Sequence, residues 1–325
     1  MAVDKLVDSA QLDGYFTNIA SAIRSKAGVS STYTPSEMPQ AIEDIPSGGG
    51  DDSFDRLVDR TISEARGNVT TIGYNAFYSC SNLATVSFPS ATSICGYAFA
   101  YCSSLTTVSF SLVTSIGNYA FSRCSSLTTV NFPSAEYIAA NAFNNCQRLT
   151  TVSFPSVTSI STSAFQYCSS LTTVNFPSAK TLGNGAFSNC SNLTTVSFPR
   201  VTSIGNSVFQ YCPNLATVSF PKATSIGSFA FAYCSSLTTV SLRSATNIYN
   251  AAFSCCFMLL SLYLMGSRVP SLVNANAFSS TPISNYTRST GGVYGSIFVP
   301  ASLYNSYLTA TNWSLYSSRI VSVSE

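Results

Sequence analysis

The stretch from Tyr211 to Val240 reads YCPNLATVSFPKATSIGSFAFAYCSSLTTV, and its last eight residues nearly repeat its first eight. Nine cysteines of the chain measure this repeat, since they follow one another at intervals of 22 residues. They are Cys80, Cys102, Cys124, Cys146, Cys168, Cys190, Cys212, Cys234 and Cys256. A phenylalanine series from Phe77 to Phe253 keeps the same interval. A fixed period of this size predicts a solenoid in which each repeat forms one turn.

One part of each turn has the pattern of a short β-strand. In the turn that contains Leu127, the string LTTVNF places apolar residues at Val130 and Phe132 and polar residues at Thr129 and Asn131. Successive side chains of a strand point to opposite faces. We therefore expect Val130 and Phe132 to point into the solenoid, and Thr129 and Asn131 to point outward.

The opposite part of the turn carries a second apolar pattern. Ile116 precedes a glycine turn, and Ala120, Phe121 and Cys124 then predict a short helical or 3-10 segment whose apolar face points inward. A turn holds about five large apolar residues, each stabilising the fold by roughly 1.5–3 kcal/mol when buried. Ordering costs about 1.5 kcal/mol per residue. One turn therefore cannot fold alone, and stacking of turns is required.

Composition and repeat boundaries divide the chain into four parts. Two helical patterns precede the repeats, and the second begins with a TPSE capping box at residues 34–37. A glycine-rich stretch follows them and is expected to be a flexible linker. The predicted parts are a helical attachment module at 1–46, a linker and N-terminal cap at 47–66, a nine-turn solenoid at 67–264, and a degenerate tenth turn with a C-terminal cap at 265–325.

The repeat frame TSIGxxAFxxCSSLTTVxFP resembles the BspA-like leucine-rich repeats of bacterial and protist surface proteins, over about residues 68–320. The resemblance implies a mainly β leucine-rich-repeat solenoid, with a short strand and a short helical or 3-10 segment in each 22-residue turn. It also implies adhesion and binding to proteins or glycans. The ending around residues 297–313 is similar to the closing segment of such proteins, so Trp313 is expected to seal the last coil.

The head of the chain resembles a different group. The stretches IASAIRSK at 19–26 and YTPSEMPQAI at 33–42 are similar to an N-terminal module of tail and fibre proteins from phages and prophages of Gram-positive hosts. This resemblance implies that residues 1–46 attach to other virion or tail proteins. Asp4 and Asp8 interrupt any apolar core of a secretory signal at the start of the chain. The expectation is a tail-associated virion protein, with a bacterial surface or secreted location as the alternative.

The chain lacks the residues that several classes of function require. The chain has no histidine, and Glu136 is the only carboxylate side chain between Arg66 and Glu325, so neither a histidine-based nor a paired-carboxylate catalytic site is expected in the repeats. Nine dispersed cations after Arg66 are too few for a nucleic-acid partner. No apolar run approaches 18 residues, so membrane insertion is not expected.

The cysteines are predicted to be small buried apolar residues. The nine periodic ones share one phase, so they form a column with neighbours about 4.8 Å apart. Whether any of them pair is left open. Zinc sites need clustered CxxC ligands, which the chain lacks, so no metal or cofactor is expected. Cys95 and Cys255 lie off this column and should be more exposed.

Threonine recurs at the outward strand positions. Regular rows of threonine also occur on ice-binding solenoids. The simpler interpretation is that threonine is common at exposed positions of any β-strand. The positions are Thr85, Thr107, Thr129, Thr151, Thr173, Thr195, Thr217 and Thr239.

Variation between turns concentrates around each Ala-Phe pair, whereas the core phases hardly change. Tyrosine, serine, asparagine and glycine dominate there, as they do on binding surfaces. Neutral drift of exposed positions is the alternative, but drift should also bring in lysine and acidic residues. The eighteen positions directly before the Ala-Phe or Val-Phe pair, or before one of the nine periodic cysteines, include one charged residue. The candidate ligand-binding residues are Tyr97, Tyr101, Tyr119, Arg123, Asn145, Tyr167, Tyr211, Phe229 and Tyr233.

Three cations form a second candidate feature. Arg200 and Lys222 share one phase of successive turns, and Arg243 lies one position earlier in the next turn. They are predicted to line one edge at intervals of about 5 Å. Solubility of a charge-poor protein is one explanation. The other is that this edge, placed next to Tyr211 and Tyr233, attracts an anionic polymer of the target cell.

Taken together, these patterns predict a noncatalytic recognition protein. The favoured function is binding of a cell-surface protein or glycan by a phage or prophage tail, with the helical head for attachment and the solenoid for the target. A bacterial surface adhesin and a virion spacer without ligand are the alternatives. The ligand and the oligomeric state, including a homo-oligomer, are left open by the sequence.

Overall fold

The computed structural model describes residues 63–324, which form one parallel solenoid. The predicted helical module at 1–46 and the linker as far as residue 62 lie outside the described residues. Each turn adds one strand to each of two sides of the solenoid. The mainly β solenoid with a 22-residue repeat is confirmed.

One side consists of strands of three residues or more, which we call the long-strand side. Its strands are β1 (Glu64–Arg66), β3 (Thr85–Ser87), β5 (Thr107–Ser109), β7 (Thr129–Asn131), β9 (Thr151–Ser153), β11 (Thr173–Asn175), β13 (Thr195–Ser197), β15 (Thr217–Ser219), β17 (Thr239–Ser241), β19 (Ser261–Tyr263), β21 (Ser296–Pro300) and β22 (Ile320–Val323). Parallel pairing joins them in four groups, β1-β3, β5-β7-β9, β11-β13 and β15-β17-β19-β21-β22. Val130 and Phe132 are fully buried as predicted, and Asn131 is exposed.

The second side, the short-strand side, was expected to be only a turn. It is a continuous parallel sheet of ten two-residue strands, in which isoleucine or leucine points inward. The strands are β2 (Thr71–Ile72), β4 (Ser93–Ile94), β6 (Ser115–Ile116), β8 (Tyr137–Ile138), β10 (Ser159–Ile160), β12 (Thr181–Leu182), β14 (Ser203–Ile204), β16 (Ser225–Ile226), β18 (Asn247–Ile248) and β20 (Ser271–Leu272).

The third side differs from the prediction in one detail. In nine turns the segment around Ala-Phe is not helical or 3-10 but a series of turns with two left-handed residues. Every second backbone N–H group of the segment bonds to the next coil: Phe121 N donates to Ala142 O at 2.8 Å, and Arg123 N donates to Asn144 O at 2.8 Å. The N–H groups between them bond within the segment, as Ser122 N does to Tyr119 O at 3.0 Å. These bonds between coils use the N–H groups that a helix would need. The only 3-10 helix at this phase of the described chain is Ala275–Phe278.

Two columns of stacked phenylalanines fill the interior. In the first, Phe143, Phe165 and Phe187 are parallel with ring centroids 5.2 and 5.3 Å apart. The second column includes Phe154 and Phe176, which meet Phe165 at larger angles. All five rings are 0–1% exposed. Aromatic pairs in these geometries contribute beyond the area they bury, so the columns hold the coils in register.

The cysteine column is buried. The eight column members from Cys102 to Cys256, together with Cys95 and Cys255, are free thiols. The column's members are not only small apolar residues. From Cys102 to Cys256, each thiol of the column donates to the carbonyl of a phenylalanine in the preceding turn, at 3.0–3.2 Å. Cys95 and Cys255 are half-buried, so they are more exposed than the column, as expected.

Polar side chains also join the coils. The Asn184 Oδ1 atom accepts from the backbone N–H of Asn206 at 2.8 Å, and the Asn206 Oδ1 atom accepts from Ser228 N at 2.9 Å. Thr128 Oγ1 donates to the Thr106 carbonyl at 3.0 Å. These two phases of the repeat therefore have a structural role, and neither carries the candidate site.

A mixed segment closes the C-terminal end of the solenoid. Trp313 is fully buried against Phe278 and Tyr307, and its indole N–H donates to the Pro270 carbonyl at 2.7 Å. The predicted sealing role of Trp313 is thus confirmed. No helix in residues 63–324 is long and apolar enough to cross a membrane. The segment's helices are α1 (Tyr304–Thr309) and the 3-10 helices Ala275–Phe278, Pro282–Ser284, Arg288–Thr290, Ala301–Leu303 and Ser314–Arg319.

Candidate functional site

The third side of the solenoid presents two columns of residues, most of them exposed or half-buried. Together with the middle column described below, they form what we call the αL face. Every one of the eighteen residues in the two columns has a positive φ, between 52° and 63°. Column A, directly before each Ala-Phe or Val-Phe pair, is Asn75, Tyr97, Tyr119, Asn141, Ser163, Gly185, Ser207, Phe229 and Ala251. Column B, directly before each ladder cysteine, is Ser79, Tyr101, Arg123, Asn145, Tyr167, Asn189, Tyr211, Tyr233 and Cys255.

The left-handed backbone explains some of the residues found there and not others. Glycine and asparagine adopt this conformation readily, and no β-branched residue occurs in either column. Seven of the eighteen residues are nevertheless aromatic. A bulky side chain in this region is a backbone outlier that costs on the order of 1–3 kcal/mol. The backbone requirement alone therefore does not account for the tyrosines.

One aromatic cluster lies in the first three turns of the repeat. The rings of Tyr97 and Tyr119 are parallel, with centroids 4.7 Å apart. Tyr78 meets Tyr101 edge to face at 5.5 Å, and the guanidinium of Arg123 lies 5.4 Å from the centre of the Tyr101 ring. Partial burial and, to a smaller extent, the neighbouring phenol groups raise the pKa of the Tyr97 hydroxyl. Tyr97 and Tyr101 remain 38% and 40% exposed.

A second aromatic cluster lies five turns further along. Tyr211 and Tyr233 stack with centroids 4.6 Å apart, and Phe229 of column A lies in the same turn as Tyr233. The side chains of Cys255 and then Tyr211 raise the pKa of the Tyr233 hydroxyl. All three rings are exposed to solvent. Exposed rings held in fixed positions can bind a ligand at little entropic cost.

A middle column, between columns A and B, completes the face. Where both neighbours are aromatic the middle residue is Ala100 or Ala232, and both alanines are fully buried. Of the other seven middle residues, three are amides and four are tyrosine or serine, and Asn144 Nδ2 donates to Gln166 Oε1 at 3.2 Å. The middle column is Tyr78, Ala100, Ser122, Asn144, Gln166, Ser188, Gln210, Ala232 and Ser254.

The structure places all nine predicted aromatic and polar binding residues on the αL face, but it does not bring the three cations to them. Arg200, Lys222 and Arg243 are exposed on the bend that joins the long-strand side to the short-strand side. Lys222 is eleven residues from Tyr211 and eleven from Tyr233, half a turn in each direction. The expectation that the basic edge lies beside these tyrosines was wrong, because the bend is opposite the αL face in a three-sided coil.

Sequence reasoning identified columns A and B but missed two features. It did not single out the middle column, whose amides and alanines belong to the same surface. It also missed the left-handed backbone, for which the recurrence of asparagine, serine and glycine at two fixed phases was an available signal.

The face can hold a ligand by ring stacking and by hydrogen bonds to amides and hydroxyls. Its only charged side chain is Arg123. The acidic side chains of the described residues are Glu64 and Glu136, neither of which lies in these columns. Within residues 63–324, no group of three or more histidine, cysteine or acidic side chains could hold a metal ion.

Comparison with known proteins agrees with this architecture. The sequence profile described as BspA type leucine rich repeat region matches residues 50–172 and 158–284, in six copies. A leucine-rich repeat protein from Bacteroides ovatus has 21% identity and a TM-score of 0.50, covering 81% of this chain and 84% of that one, which concerns the fold alone. No curated protein matches the chain in sequence.

Two other solved structures are similar at higher identity but lower structural score. A leucine rich cell surface protein from Faecalibacterium prausnitzii has 27% identity and a TM-score of 0.36, over 67% of this chain and 82% of that one. A leucine rich repeat protein from T. pallidum has 29% identity and a TM-score of 0.38, over 52% of this chain and 72% of that one.

Proposed function

This chain belongs to the BspA-type leucine-rich repeat family, and on that premise we propose that it is a recognition protein of a phage or prophage tail. Leucine-rich-repeat solenoids are typically noncatalytic recognition proteins. In this proposal the αL face binds a protein or glycan on the surface of the target cell. Residues 1–46 attach the chain to other virion or tail proteins.

The observation that carries the proposal is the set of exposed aromatic residues at left-handed positions. Asparagine or glycine would satisfy the backbone at these positions and does so in neighbouring turns, such as at Asn145 and Gly185. Tyrosine at Tyr97, Tyr101 or Tyr211 is costlier for folding. Strained residues persist where function requires them, and tyrosine supplies rigid contact area on binding surfaces.

Two further observations favour a virion location. The head of the chain resembles tail and fibre modules, as described above. The protein also carries ten free thiols among the residues that the structure describes, and the eight from Cys102 to Cys256 lie in the buried column. Free thiols persist in reducing compartments such as the bacterial cytosol. A virion protein folds there and leaves the cell at lysis, whereas an exported adhesin folds outside it.

The alternatives differ in what they require of the αL face. A bacterial surface adhesin would use the same face but would need export. A virion spacer would need no ligand, so its aromatic columns would only pack over the coil. Full burial of Ala100 and Ala232 between the aromatic residues is the observation that favours packing. The following experiment distinguishes a ligand-binding face from a face that only packs over the coil.

Replacing Tyr211 and Tyr233 by asparagine is expected to abolish binding without unfolding the protein. Asparagine relieves a backbone cost of about 1–3 kcal/mol at each position, which exceeds the roughly 0.5–1.5 kcal/mol lost with the stacked pair, so the variant should be no less stable than the unchanged protein. Labelled protein should adsorb to at least one strain of a panel of Gram-positive cells, and Y211N/Y233N should adsorb at least about tenfold less. Flow cytometry and a melting curve provide the two measurements.

Tyr137→Ser is the matched control. Tyr137 is 43% exposed but lies in β8 on the short-strand side, where neighbouring strands carry Ser115 and Ser159. It should adsorb like the unchanged protein. Equal adsorption by Y211N/Y233N and the unchanged protein would contradict the assignment of the αL face, and failure of every strain to bind would favour the spacer.

Deleting residues 1–50 tests the attachment role. The solenoid should keep its melting temperature and its adsorption to cells, because the buried core described here begins at Ala65. Incorporation into tail particles, measured by pull-down with the proteins of the same tail, should be lost. Aggregation or unfolding of the truncated protein would show instead that the head is part of the solenoid's fold.

A further inference from the structure

We infer that the ligand of the αL face is an uncharged glycan chain, bound lengthwise along the solenoid axis. This inference rests on the proposed recognition function and adds the chemical class of the target. It follows from the charge, the aromatic geometry and the polar groups of the three columns.

Charge argues against an anionic ligand at this face. Across columns A and B and the middle column, the only charged residue is Arg123, and its guanidinium already lies over the Tyr101 ring. The exposed cations Arg200, Lys222 and Arg243 are on the opposite bend. An anionic polymer in these columns would lose its water without gaining ion pairs, which is unfavourable.

The aromatic pairs leave ring surface available for stacking. Parallel rings in contact are about 3.5 Å apart, so the centroid separations of 4.6 and 4.7 Å mean that the rings are shifted sideways. Part of a face of each ring is therefore uncovered by its partner. A pyranose ring presents an apolar face of C–H groups that packs against such a surface, and its hydroxyls remain at the edge for hydrogen bonding.

Polar groups between the aromatic clusters match those hydroxyls. A sugar hydroxyl both donates and accepts, and so do amides and hydroxyls of the protein. The middle column supplies Asn144, Gln166 and Gln210, all half-buried. The Gln210 side chain makes no hydrogen bond to any residue that the structure describes, so both ends of its amide are available.

The spacing of the clusters suits a chain rather than a single sugar. In column A, Tyr119 and Phe229 are separated by five turns, about 24 Å at the usual strand spacing. The four intervening residues are Asn141, Ser163, Gly185 and Ser207, all small or polar. They form a shallow polar strip between two aromatic ends, with Tyr167 of column B beside its middle.

The same columns are poorly suited to a protein partner. Tyrosine and arginine also occur at the centre of protein interfaces, so the aromatic residues alone fit either partner, and the charge of the face distinguishes the two. Protein surfaces bring charged groups of both signs to the rim of an interface. The face offers one cation and no carboxylate with which to pair them.

Enzymatic and chemical treatment of the target cells tests the inference without knowledge of the sugar. The probes are cells of an adsorbing strain, treated with protease or with periodate, which cleaves the vicinal diols of sugars. Adsorption of the full chain should survive protease and be lost after periodate. It should change less than about twofold between about 0.1 and 0.5 M NaCl, because screening acts on charge pairs.

Gln210→Met gives a second, independent readout. It keeps the length of the side chain and removes the amide, so adsorption should fall about tenfold with an unchanged melting temperature. Gln147→Met, outside the three columns, should leave adsorption unchanged. A protein target that docks through apolar contacts would instead bind the Gln210→Met protein equally well or more tightly.

The outcomes separate the two claims. Loss of adsorption after protease, survival after periodate, or a steep decline with salt would overturn the glycan inference and leave the recognition function standing. Absence of adsorption to any strain would overturn the recognition function itself. Unchanged adsorption of the Gln210→Met protein would also overturn the glycan inference, because it would remove the role of the amides.

Discussion

Raising the pH above about 9 is expected to unfold the solenoid over a narrow range. Burial raises the pKa of the thiols in the cysteine column, to about 12 for Cys146 and Cys212. Unfolded thiols ionise near pH 8.5. Because the folded pKa is higher, the thiols stabilise the fold fully below the unfolded pKa, and this contribution is lost as pH rises toward the folded value.

The steepness follows from the number of thiols. Eight ladder cysteines, from Cys102 to Cys256, have a raised pKa. Each proton kept only by the folded state lowers the free energy of unfolding by about 1.4 kcal/mol per pH unit, so eight give a slope of about 11 kcal/mol per pH unit. Domains are stable by about 5–15 kcal/mol, so one to two units should suffice.

Urea unfolding followed by circular dichroism between pH 7 and 10.5, under a reducing agent without oxygen, measures the slope. The C146A/C212A variant is the control. It should be less stable at pH 7, since it loses two thiol hydrogen bonds and some packing, yet its slope should be about one quarter smaller. A free energy of unfolding that stays constant up to pH 10 would contradict the buried thiol column.

Replacing Phe165 by alanine is expected to lower the free energy of unfolding by about 3–5 kcal/mol, the usual cost of emptying a buried aromatic site. Phe165 is fully buried and stacks between Phe143 and Phe187. Its loss creates a cavity and also interrupts a column of rings. Thermal or urea unfolding measures the change.

Tyr167→Asn, two residues away, is the matched control for Phe165. Tyr167 is 44% exposed at a left-handed position, where asparagine relieves backbone cost, so this substitution should not lower stability. A melting curve for Phe165→Ala that coincides with that of the unchanged protein would refute the inward phenylalanine column. Equal losses from both variants would mean that the exposed tyrosines also stabilise the coil, as packing alone would predict.

The 22-residue period was sufficient to predict the solenoid, its core and its columns of phenylalanine and cysteine. Each apolar phase recurs without interruption, and a single turn is too small to bury its own apolar residues. Val130, Phe132, Phe165 and the cysteine column are therefore buried as expected. Local pattern and global packing agree at these phases, because in a stacked repeat every neighbour is another copy of the same turn.

Only the tertiary structure decided which surface residues are neighbours. The period shows that Lys222 and Tyr211 each recur along the axis, but the bends between the three sides determine that they are on opposite parts of the coil. Likewise, Tyr97 and Tyr211 have a left-handed backbone, and the N–H group of each donates to a carbonyl of the next coil at 2.9 Å. Hydrogen bonds between coils are long-range interactions, so the residues of one turn do not reveal them, and the αL face is their product.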